Sequence, residues 1–252
     1  MLSSQRELYI MQQLDANGVV NVAELAKTLD ISETTIRRDL EKLEQEGRLT
    51  RVYGGAKTTD LLNNENIELT MNEKLIINAD VKDMICRKAS EKVKDGEVVF
   101  IDGGTSLVAM IDYLKNRSIT IVTNNLLIAH KYVSGNAKLV VIGGTYLPHY
   151  SMNVGISALR QIGDYHFSSC FIGCAGIDLT NNTAYTFEQD TGEIKKVAMA
   201  NSTKCYLLID NSKLNNKAFY KLALLSDFDT VLCNEPFKTL NLENMEIVKP
   251  SE

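Results

Sequence analysis

Apolar residues recur at helical spacing in three segments near the start of the chain. The spacing predicts helices over residues 3–16, 22–29 and 33–46, since each segment carries apolar positions three and four residues apart. Asn21 and Ser32 directly precede the second and third segments, where their side chains can accept hydrogen bonds from free backbone amides. Two helices joined by a short turn, the second with a polar outward face, are typical of a helix-turn-helix.

The third of these segments has a polar face suited to a DNA groove. Ile36, Leu40 and Leu43 define its buried side, so the polar residues on the other sides point outward. Hydroxyl groups bind phosphate oxygens, and arginine binds guanine edges or phosphates. The residues predicted to contact DNA from this helix and its cap are Ser32, Thr34, Thr35, Arg37 and Arg38. A docking module without DNA has the same periodicity and stays open as an alternative.

A short hairpin is predicted in the sequence RLTRVYGGA, which alternates between apolar and polar residues and ends in Gly-Gly. Its Arg48 and Arg51 are expected to point outward, as a wing that touches the DNA backbone beside the groove. Residues 58–73 are polar and have no clear apolar period. We therefore predict a DNA-binding domain over residues 1–57, a linker over 58–73 and a larger domain over 74–252.

The larger domain alternates short apolar runs with helical segments. Residues 72–93 predict one long helix, and further helices are predicted over 107–114 and 126–133. The predicted strands are 97–101, 119–122, 139–142, 169–172, 205–209 and 230–233. Buried strands that alternate with helices predict a mostly parallel sheet covered on both faces, and hence an α/β fold.

Polar turns follow several of these strands, at the edge of the sheet where α/β proteins bind ligands. In DGGTS at 102–106 the glycines let the backbone approach an anion, and the hydroxyls stand at the start of a predicted helix. TNN at 123–125 and GGT at 143–145 follow the next two strands. Glycine and asparagine are also common in ordinary turns, but three such turns together with Lys195 and Lys213 favour a phosphate site.

Composition and charge narrow the function classes. Apolar residues make up 44% and charged residues 23%, which is typical of a globular protein and excludes wholesale disorder. No apolar run approaches the ~18 residues of a spanning helix and the first residues lack a signal peptide, so we expect a cytoplasmic protein without a membrane segment. The five cysteines lack CxxC spacing and the three histidines are scattered, so neither a disulfide framework nor a metal site is expected. The net charge of −5 does not by itself indicate DNA.

Several short motifs stand in order along the chain. TIRRDL at 35–40 is followed by GGA at 54–56, and DGGTS, VTNN, IGG, GCAGID and DNSK then follow across nearly all of residues 75–235. The first two resemble the winged helix-turn-helix, and the others the sensor domain, of the DeoR family of bacterial transcriptional regulators. That family usually has histidine where this chain has Tyr53. Tyrosine can still donate a hydrogen bond to a phosphate, so Tyr53 is expected to contact DNA from the wing.

The resemblance implies a sensor domain similar in fold to ribose-5-phosphate isomerase and coenzyme A transferases, which usually binds a phosphorylated sugar or a related metabolite. Ser106 and Asn125 replace a threonine and a serine of the family, which keeps their hydrogen-bonding capacity and bears on which sugar fits. The residues that the resemblance assigns to the effector are Asp102, Gly103, Gly104, Thr105, Ser106, Thr123, Asn124, Asn125, Gly143, Gly144, Ser151, Asp178, Lys195 and Lys213.

Two classes of function compete. A regulator, expected on family grounds to be a repressor of a carbohydrate-metabolism operon that its ligand relieves, would bind double-stranded operator DNA and a phosphorylated sugar. It would act at least as a homodimer, because two half-sites lie about one DNA turn, ~34–36 Å, apart. A sugar-phosphate isomerase with an accessory DNA-binding or docking domain is the alternative.

The isomerase alternative needs a carboxylate placed beside an acid partner. The motif GCAGID supplies only Asp178, so the paired acids of isomerases with this fold are missing. Glu188 or Glu193 as a base, and Cys174 as a nucleophile, stay open. We favour binding without turnover, and we predict no catalytic residue, cofactor or metal.

Overall fold

The computed structural model describes residues 3–17, 19–52, 54–57, 71–237 and 242–249. The chain divides into two compact units, Met1–Leu69 and Thr70–Glu252, which we call the reader and the sensor. Each is described by itself.

The reader contains the three predicted helices and a small sheet. Its elements are α1 (Ser3–Asn17), β1 (Val19–Asn21), α2 (Val22–Leu29), α3 (Glu33–Gln45), β2 (Thr50–Val52) and β3 (Gly55–Lys57). The strands lie in the order β1-β3-β2, and both pairs are antiparallel. The predicted helices and the hairpin are therefore confirmed, and the first strand joins the hairpin as its third member.

Capping side chains explain where the two central helices of the reader begin. The Asn21 side chain accepts hydrogen bonds from the amides of Ala23, at 2.8 Å, and Glu24. The Ser32 side chain accepts one from Thr35 at 3.3 Å. These bonds satisfy amides that the first turn of a helix leaves without an intrahelical partner.

An ion pair holds α1 against α3. Arg6 Nε donates to Asp39 Oδ2 at 2.7 Å, and Arg6 Nη2 donates to Asp39 Oδ1 at 3.0 Å. Both side chains are largely buried, with exposed fractions of 13% and 7%. Asp39 thus serves the packing of the reader, although it stands beside the outward arginine pair in TIRRDL.

The sensor is built on one parallel sheet of seven strands, in the order β15-β14-β12-β9-β4-β5-β6. The bounds of these strands are β4 (Val98–Ile101), β5 (Thr120–Thr123), β6 (Lys138–Val141), β9 (Ser169–Ile172), β12 (Cys205–Leu208), β14 (Thr230–Cys233) and β15 (Met245–Ile247). Both faces are covered, because Phe100 and Ile172 belong to one apolar core and Ile101 and Phe171 to another. The predicted α/β fold with a parallel sheet is confirmed, and all six predicted strands are present.

Two small antiparallel sheets flank the large one. The first consists of β7 (Thr145–Leu147) and β8 (Met152–Val154), and the second has the order β10-β11-β13. Its strands are β10 (Gly176–Asp178), β11 (Thr183–Thr186) and β13 (Tyr220–Leu224). These strands, three to five residues long, were not predicted from the sequence.

The helices of the sensor are α4 (Met71–Ile76), α5 (Ala79–Ser90), α6 (Met110–Leu114), α7 (Leu126–Lys131), α8 (Ile156–Gly163) and α9 (Gln189–Ala200). The single helix predicted over 72–93 is wrong. Asn78 adopts a left-handed conformation, with φ of 53°, and its side-chain amide donates to Asp210 Oδ1 at 3.1 Å. Asparagine tolerates this conformation, which ends one helix and starts the next.

The helix predicted over 107–114 is also wrong at its start. Residues Thr105–Leu107 form a 3-10 turn, and α6 begins only at Met110. The Ser106 carbonyl accepts a hydrogen bond from the Cys86 thiol of α5 at 3.0 Å. The DGGTS loop is therefore not followed directly by an α-helix. The α-helical amides and the helix dipole that were expected to favour phosphate are not present at this place in the structure. No helix among the residues placed by the structure is long and apolar enough to cross a membrane.

Candidate DNA-binding surface and effector site

The outward face of α3 carries the predicted arginine pair. Arg37 and Arg38 are both exposed, as predicted, and so is Thr34. Arg37 Nη2 lies 2.9 Å from Glu33 Oε2 one turn earlier. For Arg38, no carboxylate lies within ion-pair distance in the described part of the chain. Arg38 is thus the guanidinium of this helix that is best placed to bind an external anion or a base edge.

The two hydroxyls at the start of α3 contact each other. Ser32 Oγ lies 2.9 Å from Thr35 Oγ1, and Ser32 also accepts from the Thr35 amide. Thr35 is half-buried. These groups organise the first turn that a DNA phosphate would approach, and contact with DNA stays a prediction for both.

The wing differs from the prediction at Arg48. Its side chain is only 16% exposed and lies 3.5 Å from Glu46 Oε2, so Arg48 does not point outward as expected. The Glu46 carboxylate attracts the Arg48 side chain toward the surface of the reader. The charge of Arg48 also contributes to the lowered pKa of Glu7. Arg51 is exposed, at 3.8 Å from Glu44 Oε2, and its amide donates to Glu44 Oε1 at 2.9 Å. Tyr53 lies outside the described residues.

The two positions of the GGA motif require glycine for different physical reasons. Gly54 lies in the left-handed region, with φ of 81°, in the turn between β2 and β3. Gly55 pairs with Asn21, and a Cβ added to it would lie 2.0 Å from the Val20 carbonyl oxygen. The motif therefore allows β3 to approach β1, and it sets the position of the wing.

A buried ion pair lies at the carboxyl ends of the central strands of the sensor. Lys195 Nζ of α9 binds Asp102 Oδ2 after β4, and both residues are at least 96% buried. The Gly173 amide, after β9, donates to the same oxygen at 3.1 Å. Asp102 Oδ1 is buried and has no hydrogen-bond partner among the residues the structure places. An acceptor of this kind suits a ligand hydroxyl group.

The turn after β5 ties the polar loops together. The Thr123 hydroxyl donates to the Ile101 carbonyl at 2.6 Å and accepts from the Asn125 amide at 3.0 Å. The Asn125 side chain donates to the Asp102 carbonyl at 3.2 Å and accepts from the Leu127 amide at 2.9 Å. Thr123 and Asn125 are thus placed to position the first loop rather than to offer free polar groups.

Asn124 leaves a second acceptor near that loop. Its Nδ2 donates to the Asn153 carbonyl at 3.0 Å, while its Oδ1 is buried without a hydrogen-bond partner in the described chain. Gly103 packs against Met152, since an added Cβ would lie 2.5 Å from the Met152 Cε. Gly104 lies beside Asp102 and Gly173.

Lys82 of α5 was missed by sequence reasoning. Its ammonium donates to the Lys74 carbonyl and lies 3.5 Å from Thr105 Oγ1 of the first loop. Burial, and then the charge of Lys213, lower the pKa of Lys82 from 10.5 to about 8. Its burial could have been predicted from the sequence. Lys82 stands three residues before Ile85 and four before Cys86, so on a helix it shares their buried face.

The loops after β9 and β12 bring further charges together. Burial raises the pKa of the Cys174 thiol to about 12, while Lys213 and Lys195 oppose the rise and Asp210 adds to it. The charges of Lys213, Lys195 and Asp210 therefore all act on Cys174. Asp210 is 1% exposed; its Oδ1 accepts from Asn78 and from the Ser212 amide, and its Oδ2 is buried without a partner in the part of the chain described.

The hydrogen bonds and the ion pair that the structure places on Asp178 are made with other groups than this cluster. Asp178 is the last residue of β10, where Oδ1 accepts from the amides of Thr180 and Asn181, and Oδ2 lies 2.8 Å from Lys217 Nζ. These hydrogen bonds, that with Lys217 first, lower its pKa to about 2. The surroundings of Asp178 therefore give no support to its predicted role in effector binding.

The backbone amide and carbonyl of Gly143, which the resemblance assigned to the effector, already have a partner within the sensor. The Gln161 side chain accepts from the Gly143 amide and donates to the Gly143 carbonyl, both at 3.2 Å. Gly144 is needed because a Cβ there would lie 2.4 Å from the Val154 carbonyl oxygen. Ser151 adopts a left-handed conformation, and its carbonyl accepts from the Leu126 amide at 2.9 Å. These contacts are structural.

Two family profiles match the chain and together span most of it. The DeoR-like helix-turn-helix domain matches residues 6–61, and the DeoR C-terminal sensor domain matches residues 77–235. The chain belongs to the DeoR family of transcriptional regulators. This confirms the family that the motifs indicated, and it makes the reader a DNA-binding domain of the DeoR type.

Relatives of similar length match nearly the whole of this DeoR-family chain. A lactose phosphotransferase system repressor of Lactococcus lactis is 32% identical over 93% of this chain and 92% of its own. An L-fucose operon activator of Haemophilus influenzae is 31% identical over 90% of both chains. Both are regulators of sugar genes by name, although of opposite sign.

Solved structures give weaker likenesses. A ribose 5-phosphate isomerase A from Methanocaldococcus jannaschii is 19% identical, covers 54% of this chain and 55% of its own, and has a TM-score of 0.38. A likeness of this size carries no argument about activity. Within the described ranges, no group of three or more histidine, cysteine, aspartate or glutamate residues is arranged to hold a metal ion.

Proposed function

We propose that this DeoR-family protein represses a carbohydrate-metabolism operon, and that a phosphorylated sugar or a related metabolite in the sensor controls operator binding. The regulator acts on double-stranded DNA as at least a homodimer, since a palindromic operator needs two readers. We further propose the domain boundaries 1–57, 58–73 and 74–252, with the middle segment as linker.

The charge balance at the carboxyl edge of the sheet carries the proposal for the effector. Three ammonium groups, those of Lys82, Lys195 and Lys213, accompany two carboxylates, those of Asp102 and Asp210. Lys195 is already bound to Asp102, so Lys82 and Lys213 form the part of the cluster with excess positive charge. The charge of a phosphate would relieve the repulsion between these two ammonium groups.

The unpartnered acceptors support the sugar part of the ligand. Asp102 Oδ1, Asn124 Oδ1 and Asp210 Oδ2 are buried, and each has a free lone pair as far as the structure is described. Hydroxyl groups of a ligand would donate hydrogen bonds to these oxygens. A carboxylate group of a ligand would instead be repelled by the carboxylates of Asp102 and Asp210. A phosphorylated polyhydroxy compound fits both halves of the cluster.

The sign of regulation is proposed as repression. The Lactococcus lactis relative is a repressor by name and the Haemophilus influenzae relative an activator, so the family contains both. In the simplest scheme the effector binds more tightly to the arrangement that has lost the operator, and a complete switch needs a difference of about 5.5 kcal/mol between the two arrangements.

No observation favours the isomerase alternative. Glu193, one of the two candidate bases, accepts from the Tyr220 hydroxyl and from Lys196, and these contacts lower its pKa. The Cys174 thiol is held protonated by burial, so it is not a ready nucleophile.

The test is a titration of the purified full chain with phosphorylated sugars and with the same sugars lacking phosphate. We expect heat of binding only with phosphorylated compounds, and a matching release of operator fragments in gel-shift assays. Lys217→Met serves as control, because Lys217 is exposed and pairs with Asp178 outside the cluster. Equal binding of unphosphorylated sugars would contradict the phosphate site, and formation of an isomerised product would favour the enzyme.

A further inference from the structure

The helix α4 is held in place by a lysine of the proposed effector cluster. The sensor begins at Thr70, and α4 (Met71–Ile76) is its first described element, so the chain coming from the reader enters the sensor at this helix. The ammonium of Lys82 donates to the carbonyl of Lys74 in α4. The buried cation that we propose for phosphate binding is therefore also a support of the first helix of the sensor.

A second group of the cluster binds the chain where α4 ends. Ile77 and Asn78 separate α4 from α5, and we call these two residues the helix break. Asn78 Nδ2 donates to Asp210 Oδ1 at 3.1 Å, and the Asn78 carbonyl accepts from the Lys82 amide at 2.9 Å. The helix break is thus bonded both to a buried carboxylate and to the lysine of the proposed effector site.

The short length of α4 makes it dependent on such contacts. It has six residues, whereas isolated helices shorter than about 12–15 residues are marginal in water. Its side chains add support of another kind: Met71 is buried in the first apolar core, and the Lys74 ammonium lies 4.9 Å from the ring centroid of Phe187 and 5.9 Å from that of Tyr150. These side-chain contacts would keep α4 on the sensor even if the Lys74 carbonyl lost its donor.

Charge favours the exchange of this donor for a bound phosphate. The hydrogen bonds of the Lys82 ammonium go to the Lys74 carbonyl and to Thr105 Oγ1, which are both uncharged, and Lys213 repels it. A phosphate oxygen carries negative charge and attracts an ammonium group more strongly than a neutral carbonyl does, most of all where little water screens the charges. A phosphate in the cluster would therefore draw Lys82 away from Lys74.

We propose that effector binding releases the carboxyl end of α4, because the phosphate takes the Lys82 ammonium from the Lys74 carbonyl. The carbonyl then turns to water for a donor, since a buried carbonyl without a partner costs free energy, and the helix break opens with it. This inference rests on the proposed phosphate site, and it names the segment through which occupancy of that site is transmitted. The linker joins the sensor at α4, so a change in α4 reaches the linker directly.

Amide hydrogen exchange of the full chain tests the proposal, with inorganic phosphate as the probe and chloride at equal ionic strength as the reference. A ligand that binds the folded state slows exchange in general, because it stabilises that state by mass action. We expect the opposite sign in one segment: amides of residues 71–78 should exchange at least about threefold faster with phosphate, whereas those of β4 and β9 exchange no faster. Slower exchange of residues 71–78 would mean that Lys82 binds phosphate without leaving Lys74, and it would overturn the proposal.

Asn78→Gly tests the helix break without a ligand. Glycine accepts the φ of 53° at this position, so the change removes the side-chain bond to Asp210 and leaves the backbone conformation available. We expect residues 71–78 of the variant to exchange faster than in the wild type before phosphate is added. Asn182→Gly is the matched control, because Asn182 also has a φ of 53° and lies between β10 and β11. Equal rates in the wild type and Asn78→Gly would contradict the proposal.

Lys82→Met is the second variant, and it decides the matter if thermal melting shows that Asn78→Gly does not fold. It removes the donor of the Lys74 carbonyl and the proposed phosphate ligand together. Residues 71–78 should exchange faster than in the wild type without phosphate, and phosphate should no longer change their rate. An exchange rate like that of the wild type would show that Lys82 does not hold α4.

The outcomes separate this proposal from the proposed function. Binding of phosphate and of phosphorylated sugars is measured independently by calorimetry, and operator release by gel shift. If these compounds bind and release the operator while residues 71–78 exchange more slowly, the release of α4 is wrong and the proposed function stands. If neither phosphate nor any phosphorylated sugar binds, both proposals fail.

Discussion

At the scale of single residues, the sensor holds an ammonium group where little water reaches it. Lys82 is 6% exposed, and its hydrogen bonds go to a carbonyl and a hydroxyl instead of a carboxylate. The folded state therefore bears a cost for the charge of Lys82, which Lys213 increases. Groups whose pKa is displaced by burial and a neighbouring charge cluster at functional sites. The proposed effector site has this property.

Lys82→Met should change how stability depends on pH. The pKa of Lys82 is about 8 in the folded state against 10.5 in the unfolded chain, so the unfolded wild-type chain binds more protons between these values. Wild-type stability then gains up to about 3 kcal/mol, relative to the variant, as the pH rises through that window. Urea unfolding of both proteins at several pH values measures the difference, and a constant difference would contradict the lowered pKa.

Arg38→Ala should weaken operator binding. The arginine is exposed on α3 and lies apart from the carboxylates that the structure places. A loss of ~1–3 kcal/mol with relaxed sequence preference is expected if Arg38 binds a base, and a flatter salt dependence if it binds phosphate. Gel shifts at several salt concentrations distinguish the two. Lys27→Ala, on exposed α2 surface, is the comparison variant, and unchanged affinity and salt dependence in Arg38→Ala would remove Arg38 from the interface.

At the scale of elements, periodicity located the regular segments and missed their interruptions. The helices of the reader and the six core strands were predicted, because apolar residues repeat at the period of each element. The break at Asn78 was not predicted, since it depends on a hydrogen bond to Asp210, 132 residues away. The 3-10 turn at Thr105–Leu107 was not predicted either, and its Ser106 carbonyl accepts from the Cys86 thiol of another helix.

Gly55→Ala tests the element that supports the wing. A Cβ at this position would lie 2.0 Å from a carbonyl oxygen of β1, so β3 must move away from β1. We expect the free energy of unfolding to fall by about 2 kcal/mol or more. Gly54→Ala is the matched control: it meets no atom within 4 Å and has only the cost of its positive φ, about 1 kcal/mol. Denaturation of the isolated variants gives both values, and equal losses would contradict the close approach.

At the scale of the whole molecule, regulation requires a coupling free energy between the effector site and the operator-binding site. If the effector weakens operator binding by some factor, the operator weakens effector binding by the same factor. The effector cluster draws its groups from three strand ends and two helices of the sensor, while Arg38 belongs to the reader. Effector titrations with and without operator should therefore give dissociation constants that differ by the factor seen in gel shifts.

The double variant Thr105→Ala with Lys213→Ala should lose the effector response and keep its operator affinity. The Thr105 hydroxyl lies 3.5 Å from the Lys82 ammonium, and the positive charge of Lys213 acts on the same ammonium. Both residues belong to the sensor, so the reader is unchanged. The measurement is operator binding across the series of sugar phosphates used for the wild type. A normal response would place the effector elsewhere in the sensor.

The sequence alone determined the family, the helices of the reader and the parallel sheet of the sensor. These follow from local properties: periodic apolar residues, capping side chains and short motifs whose order is visible along the chain. It also indicated that the loops after the strands carry the ligand, because parallel strands place their carboxyl ends at one edge.

Tertiary structure decided which polar residues have free groups. Asp178 and Gly143 were predicted to bind the effector, but Asp178 pairs with Lys217 and Gly143 is hydrogen-bonded to Gln161. Lys82 was not predicted to take part, yet it is buried beside Thr105. Arg48 is drawn onto Glu46. The reason is physical: a residue's partner is set by groups that are distant in sequence, and neither desolvation nor charge at a site exists before the chain folds.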